Sequence, residues 1–143
     1  MKLKETKQKH ALSSTLKESE PKSLDVSFTK IIKDCNFGLL PSSHNHINDK
    51  AKVQKIVKTL MLIREKKPHE LIQIPKQQQI GGCEKCEISN WQWKERKVKN
   101  FLEQVKSQIF IIRAGDSRIF GSITNNCFYI HAIEYNLQDI YKH

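Results

Sequence analysis

Residues 108–143, QIFIIRAGDSRIFGSITNNCFYIHAIEYNLQDIYKH, decide how the rest of the chain is read. Apolar residues alternate or run together in pieces of six to eight, and Ala114-Gly-Asp-Ser117 and Thr124-Asn-Asn126 interrupt them with turn formers, which predicts an antiparallel meander of three strands. The strands fall at about 108–113, 117–123 and 127–134. Period-2 alternation puts Ile109, Ile111 and Arg113 on one face and Phe110 and Ile112 on the other. In the second strand Arg118, Phe120 and Ser122 oppose Ile119, Gly121 and Ile123; in the third Phe128, Ile130 and Ala132 oppose Tyr129, His131 and Ile133. Helices are then expected to cover one side of the sheet, leaving the other partly open. The polar groups of that open side are Arg113, Arg118, His131 and Tyr135, with Tyr141, Lys142 and His143 after them.

Upstream, Leu24, Val26 and Phe28 alternate and predict a fourth, edge strand at about 24–30. A helix is expected at about 49–66, capped by Asn48 or Asp49, with an apolar stripe of Val53, Ile56, Val57, Leu60, Met61 and Ile63. Pro68 suits the first turn of a second helix, 68–74. A third, at about 94–106, carries Val98, Phe101, Leu102 and Val105 on one side, preceded by Trp91 and Trp93. These tryptophans either stack on bases or close the core where loop meets helix. Residues 1–23 hold Lys, Glu, Ser and Thr but few large apolar groups and read as a flexible basic tail. Together these features predict a single α+β domain over 24–143, two or three helices packed on a C-terminal antiparallel sheet.

The net charge of +10 favours an acidic partner, most simply a nucleic acid. It is concentrated in residues 49–107, with fourteen Lys or Arg against seven acids, whereas residues 108–143 balance at three against three. The middle of the chain, including Lys97 and Lys99, is therefore expected to grip phosphates while the sheet supplies individual cations. No apolar run is long enough to span a bilayer, and no secretory signal is evident. A cytoplasmic protein with reduced thiols is expected. Cys83-Glu-Lys-Cys86 has metal-ligand spacing but brings only half of a tetrahedral set, so Cys83 and Cys86 are weak metal candidates and no cofactor is predicted. His44 and His46 read as loop residues.

Gln108-Ile-Phe-Ile-Ile-Arg113, Ser117-Arg118-Ile-Phe, Phe128-Tyr-Ile-His131-Ala-Ile and the closing Tyr141-Lys142-His143 resemble the end of RelE/ParE-type toxins. Gly82-Cys83-Glu84 and a closing strand with Tyr-x-His are also similar to small proteins of bacteria and mobile elements. The first resemblance implies a RelE-like fold and a metal-free endoribonuclease of a toxin–antitoxin module. Its partners would be RNA, on the ribosome in some members, and a cognate antitoxin. It further implies that Arg118 stabilises phosphate charge and that Tyr141 stacks on a base or assists proton transfer. His143 would act as acid or base, and Arg113 would support the phosphate. Glu134 departs from the pattern, since a carboxylate there opposes anion binding. The alternative is a non-catalytic nucleic-acid-binding or protein-interaction module from a mobile element, in which the arginines are strand-face cations and His131 a satisfied sheet histidine.

Overall fold

The computed structural model describes residues 23–33, 35–39, 48–73 and 82–143. The tail at 1–22 and the loop carrying His44 and His46 lie outside the described residues. The fold is α+β, with five strands in one mixed sheet. These are β1 (Asp25–Ser27), β2 (Cys83–Lys85), β3 (Phe110–Ala114), β4 (Ser117–Thr124) and β5 (Cys127–Glu134), in the order β1-β5-β4-β3-β2. Among the described residues three α-helices, α1 (Lys50–Ile63), α2 (Pro68–Leu71) and α3 (Arg96–Glu103), accompany it.

The meander forms as its alternation and turn chemistry predict. Asn125 and Asn126 both take positive φ, 51° and 60°, as a two-residue hairpin turn between right-twisted strands demands. Gly115 supplies φ +66° in the turn between β3 and β4. Two features differ from expectation. The sheet is not purely antiparallel, because β1 pairs in parallel with β5 through Val26 and Phe128. It also has a fifth strand, β2, recruited by pairing Cys83, Glu84 and Lys85 against Ile112, Ile111 and Phe110.

A third difference decides which side chains face which way. Phe120 pairs with Ala132 but Gly121 pairs with Ile130, so β5 carries one extra residue, His131, at this point. Such a bulge shifts the alternation by one, and every side chain beyond it changes face. Ala132 therefore joins the face of His131, while Ile133 returns to the face of Phe128 and Ile130. A Cβ on Gly121 would stand 2.3 Å from the Phe128 ring and 2.6 Å from the Tyr129 carbonyl, so the bulge also requires glycine opposite it.

Both faces of the sheet are covered, which corrects the expectation of an open side. On one, Ile56, Leu60 and Ile63 of α1 and Leu71 of α2 pack on Ile112, Ile119, Phe128, Ile130 and Ile133. Asp49 caps α1 by accepting from Lys52 N–H at 3.2 Å. The buried stripe is narrower than the periodicity suggested, since Val57 and Met61 remain 50% and 55% exposed. On the other face, Val98 and Leu102 of α3 pack with Ile32, Phe37, Ile109, Ile111, Phe120, Ala132 and Ile140. The sheet is thus the middle of three layers, and the site lies in the layer that contains α3.

Candidate functional site

Strand register builds the site. Arg113 of β3 stands directly opposite Arg118 of β4, and Arg118 stands opposite Glu134 of β5. All three share the α3 face, in line with Ile111, Phe120 and Ala132 respectively. Two arginines side by side repel, a cross-strand arrangement that costs stability unless an anion is near. Burial and then the neighbouring Arg113 hold the Arg118 guanidinium below its ordinary pKa. Its Nη1 donates to the carbonyls of Gly115 and Ser117, each at 2.9 Å, and its buried Nε has no hydrogen-bond partner.

Glu134, fully buried, is spoken for from elsewhere. Its Oε2 accepts from the backbone N–H groups of Ile140 at 2.9 Å and Tyr141 at 3.3 Å. Its Oε1 lies 2.7 Å from His143 Nε2, and since a carboxylate can only accept, the imidazole donates. Burial pushes the Glu134 carboxyl up from the usual range, while these hydrogen bonds and His143 pull it back down. The closing residues are pinned to the segment before α3, where Lys142 N–H donates to the Gln92 carbonyl at 2.8 Å and Tyr141 bridges Trp93. Three rings stack in a pile: Trp91 on Tyr141 at 4.3 Å, and Tyr141 on His143 at 4.0 Å. Trp93 Nε1 donates to the Ile88 carbonyl, and its ring packs against Phe120 and Tyr141.

The outcome is a hollow of about 390 Å³ lined by Glu84, Asn90, Trp91, Gln92, Arg113, Tyr141, Lys142 and His143. It brings together two cations, Arg113 and Lys142, the carboxylate of Glu84, a histidine braced by a second carboxylate, and a phenol. Desolvation, followed by the charge of Glu134, pushes the Tyr141 phenol well above its ordinary pKa. That group stays protonated at neutral pH, and the same shift makes it a weaker acid than an exposed phenol.

Of the residues singled out from sequence, Arg113, Tyr141, Lys142 and His143 converge here. Arg118 lies on the same face but is only 6% exposed, with Nη1 committed to backbone carbonyls, and it is not among the residues lining the hollow. Tyr141 cannot stack on a base, because both of its faces are already covered by Trp91 and His143. Tyr135 lies in the core on the opposite side of the sheet, its hydroxyl donating to the Gly38 carbonyl at 2.7 Å. His131 is buried at the bulge, between Ser122 Oγ at 2.8 Å and the Lys30 carbonyl at 3.2 Å, and is closed to an RNA base. Lys97 and Lys99 are on α3, away from the lining of the hollow.

The metal reading of Cys83 and Cys86 is also corrected. Cys83 packs against the core under α1, whereas Cys86 is buried in the core under α3, so the pair does not converge on one ion. Burial pushes both thiols up to about 12. Among the described residues no group of three or more His, Cys, Asp or Glu could hold a metal ion. Sequence reasoning missed Glu134 as a partner, having counted it as an obstacle. An acid at the end of the apolar run Phe128–Ile133 was the available signal.

No family model matches this chain, and neither a curated protein nor a solved structure matches it. No helix among the described residues is long and apolar enough to cross a membrane.

Proposed function

We propose that this protein is a metal-free endoribonuclease of RelE type, restrained by a cognate antitoxin, with its reaction centre in the hollow beside His143. The observation that carries the reading is the pairing of His143 with buried Glu134 at 2.7 Å, in a hollow that also holds Arg113 and Lys142. A histidine whose one nitrogen donates to a buried carboxylate is held in one orientation, with its other nitrogen left to accept a proton.

In this scheme the RNA 2′-hydroxyl attacks the adjacent phosphorus as His143 takes its proton. Negative charge gathers on the non-bridging oxygens, and Arg113 and Lys142 offset it. Tyr141, kept protonated by burial, passes its proton to the departing 5′ oxygen, which leaves a 2′,3′-cyclic phosphate and a 5′-hydroxyl. The proton on His143 then returns to Tyr141 through solvent. Arg118, across the strand pair from Arg113, reinforces the positive field there.

Single-turnover cleavage, free or on ribosomes, scored by cyclic-phosphate ends, tests this. His143→Gln is expected to lower the rate on the order of 10²-fold, with Arg113→Ala comparable. Wild-type rates in both variants would sink the assignment. The burial of Arg118 and the covered faces of Tyr141 favour a second reading, a non-catalytic RNA-binding module. It predicts weaker binding for Arg113→Ala, no effect of His143→Gln, and no cleavage by any form.

A further inference from the structure

At the bulge the extra residue of β5, His131, joins the face that carries Ser122 of β4, and the two side chains meet, with Ser122 Oγ 2.8 Å from His131 Nε2. The other ring nitrogen, Nδ1, lies 3.2 Å from the Lys30 carbonyl, in the segment that follows β1. A carbonyl can only accept, so Nδ1 carries the proton there. Burial holds the imidazole below its ordinary pKa and therefore uncharged at neutral pH, which leaves the lone pair on Nε2 and makes the Ser122 hydroxyl the donor. This is the tautomer a histidine needs in order to draw a proton from a serine. Two further contacts hold the residue in place. Ile32 N–H donates to the His131 carbonyl at 2.8 Å, and the Phe101 ring meets the imidazole edge-on, with centroids 6.3 Å apart. Ser122 and His131 line a hollow of about 480 Å³ whose walls include Phe101, Gln104, Val105 and Thr124. It shares no lining residue with the hollow beside His143.

We propose that Ser122 and His131 form a second reaction centre, a serine–histidine pair that hydrolyses small carboxylic esters, separate from the hollow beside His143. In it Ser122 Oγ forms a bond to the acyl carbon while its proton passes to His131 Nε2. The ester C–O bond then breaks, and the departing alcohol oxygen takes that proton. Water repeats the sequence on the Ser122 acyl ester, which releases the acid and restores the hydroxyl. Gln104 and Thr124 bring an N–H and an O–H donor to the same hollow for the oxygen that turns negative. Two observations set the substrate class. Ser122 and His131 are only 3% and 2% exposed, so a short acyl group reaches the hydroxyl whereas a peptide or a nucleic-acid strand does not. Nδ1 faces a carbonyl in place of a carboxylate, so the imidazolium is less stabilised than in a full triad, which suits a phenolate leaving group better than an amine.

The test is release of p-nitrophenolate from p-nitrophenyl acetate by the full chain, together with labelling by diisopropyl fluorophosphate, whose phosphorus bonds to an activated serine as fluoride leaves. Wild type should turn over repeatedly and carry a single adduct, placed at Ser122 by peptide mapping. His131→Gln, which can keep a bond to Ser122, should lose the label and slow release by about 10²-fold or more. Ser122→Ala should do the same. His143→Gln should release p-nitrophenolate at the wild-type rate, so a chain that passes these tests yet cleaves no RNA would uphold the ester site and defeat only the nuclease reading. An unlabelled Ser122 in the wild-type chain would overturn the pair, and that result depends on no variant's folding. So would acetylation confined to lysines, or release that Ser122→Ala leaves unchanged, since surface amines would then be the nucleophiles.

Discussion

The two faces of the central sheet are built to different standards. Under α1 and α2 the layer is apolar, and its buried polar groups are neutral hydroxyls with nearby backbone partners, Thr59 to the Lys55 carbonyl and Ser117 to that of Tyr135. Under α3 the sheet buries Arg118, Glu134, His131 and Ser122. Placing a guanidinium and a carboxylate out of water costs more than well-packed aliphatic groups of the same volume would. One face is therefore organised for stability alone. The other buries charged and titratable groups at a cost in stability, and the hollow beside His143 opens from it.

The largest expected effect lies on the first face. Ile112 is fully buried under α1, and Ile112→Ala should cost about 3 kcal/mol by the loss of its contacts and the cavity left behind. Denaturant unfolding measures this, and the folded fraction should still bind oligouridylate as wild type does. Loss of binding by folded protein would break the division of labour between the faces.

On the second face the sign is expected to change. Arg118→Met replaces a buried charge with an apolar chain of similar length and removes the repulsion with Arg113, so stability should stay within about 1 kcal/mol of wild type. Any cleavage should fall all the same, because the field beneath Arg113 is weakened. A loss of several kcal/mol would instead make Arg118 a structural pin for the turn at Gly115.

How far this contrast could be read from sequence depends on where the information lies. The β3–β4–β5 hairpins, α1 and α3 are legible because alternation, turn residues and helical spacing are local. β2 is not, since Cys83-Glu-Lys85 has no pattern of its own and becomes a strand only by lying against Ile111 and Ile112. The bulge at His131 is equally silent, yet it moves Ala132 to one face and Ile133 to the other. Arg113, Tyr141 and His143 could be grouped from their positions near the end of the chain. That Glu134 braces His143 could not, because it depends on how the chain folds back after Asn136 to present Ile140 and Tyr141 to the same carboxylate.

The smallest effect concerns pH, and it falls on the second face alone. The folded-state pKa of His131 is lowered by burial and by the charge of Lys30, while its hydrogen bond to the Lys30 carbonyl opposes this. A group whose folded pKa is depressed supports the fold above its unfolded value and loses that support as pH falls. The contribution should therefore be intact above about pH 6.5 and decline below it. Glu134 runs the other way, since its raised carboxyl favours the fold in acid and that advantage is lost as pH rises through its folded pKa. The two overlap in the acid range, so only a comparison isolates the histidine. His131→Gln, which can keep a bond to Ser122 without titrating, should unfold with a shallower loss of stability below pH 6.5 than wild type. The difference is bounded by about 1.4 kcal/mol per pH unit. Parallel curves would mean that His131 is as free to protonate in the folded chain as in the unfolded one.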